Sequence, residues 1–312
     1  MQTGRDGSST LVSVVIPVYN RVNTIERAID SALDQTYDPV EVVAVDDGST
    51  DGSREILQSY HDDPRVRVLY HDENRGANAA RNAGIVESDG PLISFLDSDD
   101  ELRSRYIQRV VEVFSEYDER VGLVYTSYRK FRNGELVDVT RGRDGRLPRG
   151  TLLATNPIGS FSAITVRRSV FDTIDLLDER FNASQDYELY VRLTRAFEVV
   201  GIDEPLVDRH LEESGIETSA VRRREGYRAI KAKFGDEIPR TRTADYHHSV
   251  GHILGLSGEY ASSRTEFAKA VYYNPLNWRY HYFFLATLFG GIGYRAANAV
   301  KNRLNVALTR SR

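Results

Sequence analysis

The chain has 312 residues, of which 40% are hydrophobic and 28% charged, with a formal net charge of -5 at pH 7. That length suits one large α/β domain with an appendage, or two domains, and the charge balance argues against a general nucleic-acid binder. There is no cysteine, which excludes disulfides and thiolate zinc sites.

Residues 1–10 are polar and rich in Gly and Ser. They read as a disordered lead-in and lack the apolar core of a signal peptide. No window reaches the roughly 18 consecutive apolar residues of a spanning helix, so a cytoplasmic protein is expected. Residues 11–18 (LVSVVIPV) are β-branched and almost wholly apolar, like a central parallel strand. Val22, Ile25, Ile29, Ala32 and Leu33 follow at helical spacing. Residues 40–45 form a second strand, ending in Asp46-Asp47-Gly48-Ser49, and residues 51–60 a helix. Residues 66–70 are a third strand. Residues 76–86 are a helix whose Ala77, Ala79, Ala80, Ala83 and Gly84 permit close packing on a sheet. Residues 92–96 are the fourth strand, ending in Asp97-Ser98-Asp99-Asp100.

Strands alternating with helices predict βαβ units and a parallel sheet. Ligands of such sheets bind outside the carboxyl ends of the strands. Tyr19-Asn20, Asp46-Asp47, residues 71–76 and Asp97 to Asp100 all fall on that edge. Three carboxylates within four residues repel one another, and a cation or a ligand's positive groups would relieve them. A single acidic turn could be a solvated helix cap; polar clusters after four successive strands are harder to explain that way.

After residue 102 the rhythm changes. Residues 102–117 read as a helix, and 121–131 with 135–141 as a hairpin turning at Asn133-Gly134. Residues 142–160 are rich in Gly, Arg and Pro and read as a mobile loop, a candidate lid. Residues 161–166 are a short strand. Ser184 reads as an N-cap, placing Asp186 in the first turn of a helix. Residues 205–210 are a strand ending in Arg209-His210. From about residue 217 the chain reads as helical. Gly258, Tyr260, Ser263, Phe267, Ala270 and Pro275 fit one tetratricopeptide-like helix pair, and a single copy cannot form a solenoid. The last segment mixes Tyr280, Tyr282, Phe283, Phe284 and Phe289 with a basic end (Arg295, Lys301, Arg303, Arg310, Arg312). Such a segment suits an amphipathic helix on an anionic membrane; alternatively, its aromatics pack on the catalytic domain.

Residues 14–20 (VVIPVYN), 46–51 (DDGSTD), 74–76 (NRG) with 80–84 (ARNAG), and 97–100 (DSDD) resemble the family 2 inverting glycosyltransferases. The resemblance is strong over residues 11–101 and weaker around Asp186. It implies an α/β, mostly parallel nucleotide-binding sheet with flanking helices, the GT-A-like fold, followed here by a helical C-terminal appendage. The expected division is a catalytic domain at 11–215, with a nucleotide-binding half at 11–101 and an acceptor half at 102–215, and a helical region at 216–312.

The resemblance implies a nucleotide-diphosphate sugar donor, held by Pro17, Tyr19, Asp46, Asp47, Gly76, Arg81, Asp97, Ser98 and Asp99. It implies a divalent metal, Mg²⁺ or Mn²⁺, at Asp99 and Asp97; apart from the resemblance, His210 at the end of its strand is a candidate third metal or phosphate contact. The resemblance makes Asp186 the catalytic base, although the family's Glu-Asp pair is Gln185-Asp186 here. The acceptor is expected to be a sugar or a lipid-linked acceptor, the lipid and a peripheral membrane contact through the C-terminal helices resting on the basic aromatic tail; the charge balance leaves no nucleic-acid partner expected. The Gln-x-x-Arg-Trp motif and membrane helices of processive synthases are absent, which favours one sugar per encounter.

The chemistry asks for the same groups. Inversion needs a carboxylate to take the acceptor hydroxyl's proton, worth ~10²–10⁴-fold. The leaving diphosphate gathers negative charge that a metal neutralises, and Mg²⁺ commonly takes only one or two protein carboxylates. Local readings stand beside these roles. Asp46 to Ser49 alone could be a turn and cap, Arg81 a structural ion pair, Asp186 a partner of the helix dipole and His210 a structural residue. A nucleotidyltransferase, or a non-catalytic scaffold with a partner-binding tail, are the alternative functions.

Overall fold

A computed structural model of the chain describes the backbone of residues 9–211 and 219–310, and side chains as far as Lys301. Most of the expected lead-in (residues 1–8), the expected boundary at 215 and 216, and the side chains of Arg303, Arg310 and Arg312 lie outside the described residues. The chain divides into two compact units. The first holds residues up to Leu152 together with Pro157–Leu211; the second holds Leu153–Asn156 and the helices beyond residue 219.

The first unit is built on a ten-stranded sheet. β1 (Val12–Val18), β2 (Val40–Asp46), β3 (Val66–Tyr70) and β4 (Leu92–Phe95) lie parallel in the order β3-β2-β1-β4. All seven residues of β1 are buried, which explains a strand without polar alternation. The connecting helices are α1 (Ile25–Leu33), α2 (Ser53–Ser59) and α3 (Ala77–Glu87). α1 buries Ile25, Ala28, Ile29 and Ala32, the stripe expected of a helix with one face on a core. α3 approaches so closely that a Cβ at Gly84 would run into the side chain of Val15. Val18 is paired with Asp46, and Asp46 with Tyr70, so three strands end in one row.

The second half of this unit contains β5 (Glu101–Leu102), α4 (Tyr106–Glu116), β6 (Val121–Arg132), β7 (Glu135–Thr140), β8 (Gly145–Leu147), α5 (Arg149–Thr155), β9 (Ile164–Arg167), α6 (Ser169–Ile174), α7 (Gln185–Leu193) and β10 (Glu198–His210). The sheet continues β4-β9-β6-β10-β5, with β9 antiparallel to both neighbours and β10 parallel to β6. Asn133 (φ 52°) and Gly134 (φ 79°) are both left-handed, the requirement of the two-residue turn expected between β6 and β7.

Four expectations need correction. The helix placed at 102–117 starts at Tyr106, because Glu101–Leu102 pairs with β10. The mobile loop at 142–160 contains β8, which pairs with β10, and then α5; Leu147 and Leu152 are buried. Sheet pairing here outweighs a Gly- and Arg-rich composition. Residues 161–163 form a 3-10 turn that precedes β9. Finally, the strand placed at 205–210 extends back to Glu198.

The second unit is helical: α8 (Ala220–Phe234), α9 (Arg240–Leu256), α10 (Tyr260–Tyr273), α11 (Trp278–Leu288) and α12 (Gly290–Arg310). Ser263, Phe267 and Ala270 are the buried face of α10, as their spacing implied. The core joins Phe267, Phe283, Tyr294 and Ala297, and Ala244 with Ala270 and Tyr280. Tyr280 and Phe283, expected on a membrane or on the catalytic domain, are thus the interior of the helical unit itself.

Candidate active site

The site is assembled at the carboxyl ends of β1, β2 and β4 and the start of α7. At the end of β1, Asn20 turns the chain in a left-handed conformation (φ 53°). Its Oδ1 accepts from the Thr50 N–H at 2.8 Å, and its own N–H donates to Ser49 Oγ at 3.0 Å. The two strand-end loops are thereby tied together, with Tyr19 between them 46% exposed. Pro17 is buried inside β1 opposite Val45.

A buried carboxylate must be paired and hydrogen-bonded, and both acidic residues after β2 obey this. Asp46 is fully buried; Oδ1 accepts from the Ser49 N–H at 3.1 Å and Oδ2 from Arg54 Nε at 2.9 Å. Arg54 in turn lies over the ring of Tyr70. Asp47 binds the loop after β3. Oδ1 faces His71 Nδ1 at 2.7 Å and accepts from the Arg75 N–H at 3.0 Å, while Oδ2 accepts from the Gly76 N–H at 2.8 Å. Gly76 has φ 95° at the head of α3, a conformation that favours glycine. Both carboxylates are internal anchors first, and only their remaining lone pairs can reach a nucleotide.

The acidic stretch after β4 is a tight turn in which the Asp100 N–H donates to the Asp97 carbonyl at 3.0 Å. Ser162, from the turn before β9, stitches it to the sheet. Its Oγ accepts from the Asp97 N–H at 3.1 Å and donates to Asp100 Oδ2 at 2.6 Å. Asp100 is 2% exposed, accepts from the His210 N–H at 3.1 Å and faces Arg209 Nε at 3.5 Å. Burial, with Asp99 and Asp97 close by, pushes the Asp100 carboxyl well above the usual carboxylate range against the pull of Arg209. Asp100 is therefore an interior strut and not a solvated helix cap, and Arg105 precedes α4. Asp97 and Asp99 stay partly open, and Asp99 Oδ2 has Arg21 Nη2 at 3.4 Å. Ser98 is buried between them.

Arg81 draws the distant part of the chain in. Projecting from α3 and almost fully buried, it donates through Nη2 to Asp97 Oδ1 at 2.7 Å and through Nη1 to Gln185 Oε1 at 3.3 Å. Its guanidinium covers the Phe161 ring, 4.0 Å from the centroid. Gln185 opens α7, and its amide also donates to the Phe181 carbonyl at 2.8 Å, which a carboxylate in its place could not do. Asp186 follows in the first turn of α7. The buried hydroxyl of Tyr190 is pushed well above the usual phenol range by burial and then by Asp186, Tyr128 and Asp97, so the two acidic centres act on one interior group. Ser184 precedes α7 as expected but does not cap it with its side chain; its backbone is left-handed (φ 59°).

Residues 13–175 match the family described as Glycosyl transferase family 2, which is more than half the chain. The chain belongs to that family. It is a glycosyltransferase, as its relatives are. An uncharacterized glycosyltransferase of Rickettsia typhi is 29% identical over 238 residues, covering 72% of each chain. A putative teichuronic acid biosynthesis glycosyltransferase of Bacillus subtilis is 43% identical over 107 residues, 34% of this chain and 42% of the relative. Among solved structures, S. aureus TarS 1-349 in complex with UDP-GlcNAc superposes with a TM-score of 0.59 at 15% identity, covering 95% of this chain and 92% of that one. This likeness establishes the GT-A-like fold.

One member of the expected metal set reaches the transferase's acidic turn with its backbone only, its side chain going to Glu101. His210 Nε2 pairs with Glu101 Oε1 at 2.7 Å, and its ring stacks on Phe131. Among the described residues no three His, Asp or Glu side chains gather as a metal cluster. The pair Asp97 and Asp99 still fits a hard cation. Both are partly open oxygen donors, Asp97 Oδ2 makes no hydrogen bond among the described residues, and Mg²⁺ needs only one or two such carboxylates. No local pattern marks Ser162, Phe161 or Arg209 as part of the site. They reach the site through β9 and β10, and only the sheet order reveals them.

Proposed function

We propose that this glycosyltransferase moves one sugar, with inversion, from a nucleoside-diphosphate donor to an acceptor hydroxyl. The observation that carries this reading is the Arg81 bridge, which holds Asp97 of the acidic turn and Gln185, the neighbour of Asp186, on one guanidinium. This supports a reading in which the diphosphate side and the acceptor side of the reaction share one arginine.

In this reading Tyr19 offers its exposed ring to the base, and the Asn20-Ser49-Thr50 knot with Asp46 shapes the ribose pocket. Asp186 accepts the proton of the attacking hydroxyl, a task worth ~10²–10⁴-fold. Arg21, beside Asp99, lies where positive charge can meet the departing diphosphate. A divalent cation, when bound, supplies charge neutralisation to the diphosphate, and Asp97 and Asp99 would hold it. The TarS structures contain UDP or UDP-GlcNAc, which makes a uridine diphosphate sugar the first donor to try. The teichuronic acid relative favours a glycan acceptor, sugar- or lipid-linked, and we place the reaction at a membrane face.

The test is a donor screen that measures nucleoside diphosphate release with Mg²⁺, with Mn²⁺ and with chelator. Release is expected with one donor and a divalent ion, and Asp99→Ala is expected to abolish it and to weaken nucleotide binding. The anomeric configuration of the product reads inversion directly, and a retained configuration would remove Asp186 from the role of base.

A further inference from the structure

α11 is apolar on both sides. Tyr280, Phe283 and Thr287 form its buried face. Trp278, Leu285 and then Phe289, at i, i+7 and i+11, form a second stripe that is 67%, 54% and 78% exposed, and Ile292 of α12 extends it at 77%. A helix hydrophobic all round is ordinarily buried on all sides, yet among the described residues nothing of its own unit covers this stripe. The stretch of chain that carries it is one-sided in charge. Residues 267–312 contain seven Lys and Arg and no Asp or Glu, in a chain whose net charge is -5. Arg279 and Arg295 are exposed beside the stripe. Lys301 instead turns inward over the Phe283 ring, where burial pulls its pKa down.

We propose that this stripe docks on an anionic lipid surface, with Trp278, Leu285, Phe289 and Ile292 entering the headgroup region and Arg279 and Arg295 meeting lipid phosphates. Three observations choose this occupant. Exposed Trp and Phe next to Arg is the composition of an interfacial helix. A second copy across a two-fold axis would set the basic patch against itself. Among the described residues no helix is long and apolar enough to cross a membrane, so the contact is peripheral. The inference builds on the membrane placement above but not on the sugar chemistry, because vesicle binding needs no donor.

Trp278 is the only tryptophan in the chain, so its fluorescence reports this patch alone. Full-length protein is mixed with phosphatidylcholine vesicles, with or without phosphatidylglycerol, and assayed by sedimentation and emission. The expected result is sedimentation and a blue shift with the anionic vesicles only, weakened by salt. Phe289→Ser with Ile292→Ser, both at exposed positions, should weaken binding at least ~10-fold, on the scale of burying large apolar side chains. Arg295→Glu should weaken it independently. Circular dichroism confirms that the variants remain folded. Emission that stays unchanged with anionic vesicles, or binding indifferent to the Phe289 and Ile292 changes, would overturn the proposal. So would an oligomer in vesicle-free solution that the same double change dissolves.

Discussion

Arg81 and Asp97 are 16 residues apart in sequence and meet at 2.7 Å, one on a helix and the other past the end of a strand. The same guanidinium reaches Gln185, 104 residues away. Removing it leaves Asp97 without its counter-ion and α7 without one of its ties. Arg81→Ala is expected to lower kcat by ~10²-fold, the scale of displacing a reacting group by about an ångström. Arg81→Lys should restore little, since one ammonium cannot serve two acceptors while lying flat on Phe161. Steady-state turnover with nucleotide-binding titrations on both variants checks this.

Asp186 is a different kind of residue, because the proposal gives it the proton. Asp186→Asn keeps the shape of the first turn of α7 and removes the basic oxygen. Turnover should fall by ~10²–10⁴-fold while the dissociation constant for the nucleotide stays within a factor of about two, well under ~1 kcal/mol. If turnover survives at near-normal rates, another group takes the proton.

A quieter part of the site is the polar face of α3 opposite the 177–182 loop. Asn82 donates to the Leu177 carbonyl at 2.9 Å and accepts from the Leu177 N–H at 2.9 Å, and Asn78 donates to the Asp178 carbonyl at 2.9 Å. This loop leads into α7 and Asp186. Asn82→Ala leaves buried backbone groups unpaired, at a cost of about 1–3 kcal/mol. The expected outcome is a lower melting temperature and a lower kcat with nucleotide affinity retained. Asn82→Asp keeps the acceptor but sets a carboxylate against the Leu177 carbonyl and Glu179 Oε1, and should be no better than Asn82→Ala. A variant that loses stability but keeps kcat would separate packing from positioning.

These three cases show what the sequence could and could not say. The four parallel strands and their polar ends were legible because apolar runs and turn residues report local burial directly. Asp46 and Asp97 stand out for that reason, whereas Arg81, inside α3, is marked only by the family resemblance. The roles within the acidic turn were not legible. Asp100 is an interior strut and Asp99 is open, and the difference comes from Ser162 and Arg209 arriving on β9 and β10. His210 shows the reverse: its strand-end position leaves a ligand and a structural role both open, and the pairing with Glu101 on the antiparallel β5 is visible only in the fold. The tail aromatics divide between core and surface for the same reason. A stretch apolar on all sides does not announce which side is inside.

The helical unit should also be acid-sensitive, for reasons apart from catalysis. His248 and His252, one turn apart on α9, are packed among Phe267, Phe283 and Tyr280, and the Nε2 atoms of both are buried with no hydrogen-bond partner among the described residues. Burial, with Lys301 and Arg279 adding repulsion, pushes His248 down to about 4; burial, with His248 and Lys301, pushes His252 down to about 2. Above the ordinary histidine pKa both folded and unfolded chains hold these rings neutral, and neither contributes to pH dependence. As pH falls below about 6.5 the unfolded chain takes up protons that the folded unit refuses, so stability is lost. The slope approaches about 1.4 kcal/mol per pH unit for each ring until its folded pKa is reached. Glu266 acts lower down. Burial opposes its ionisation, but the bonds from His247 and Lys269 hold it at about 2, so its contribution is lost only as pH falls below the ordinary carboxylate range towards that value. His248→Phe removes one unpaired polar ring in an aromatic setting. It should raise the melting temperature at pH 5 by several degrees and leave it nearly unchanged at pH 7.5, the two-point comparison being read by Trp278 fluorescence in the adjacent helix α11. An equal shift at both pH values would assign the gain to packing and remove histidine protonation as the cause.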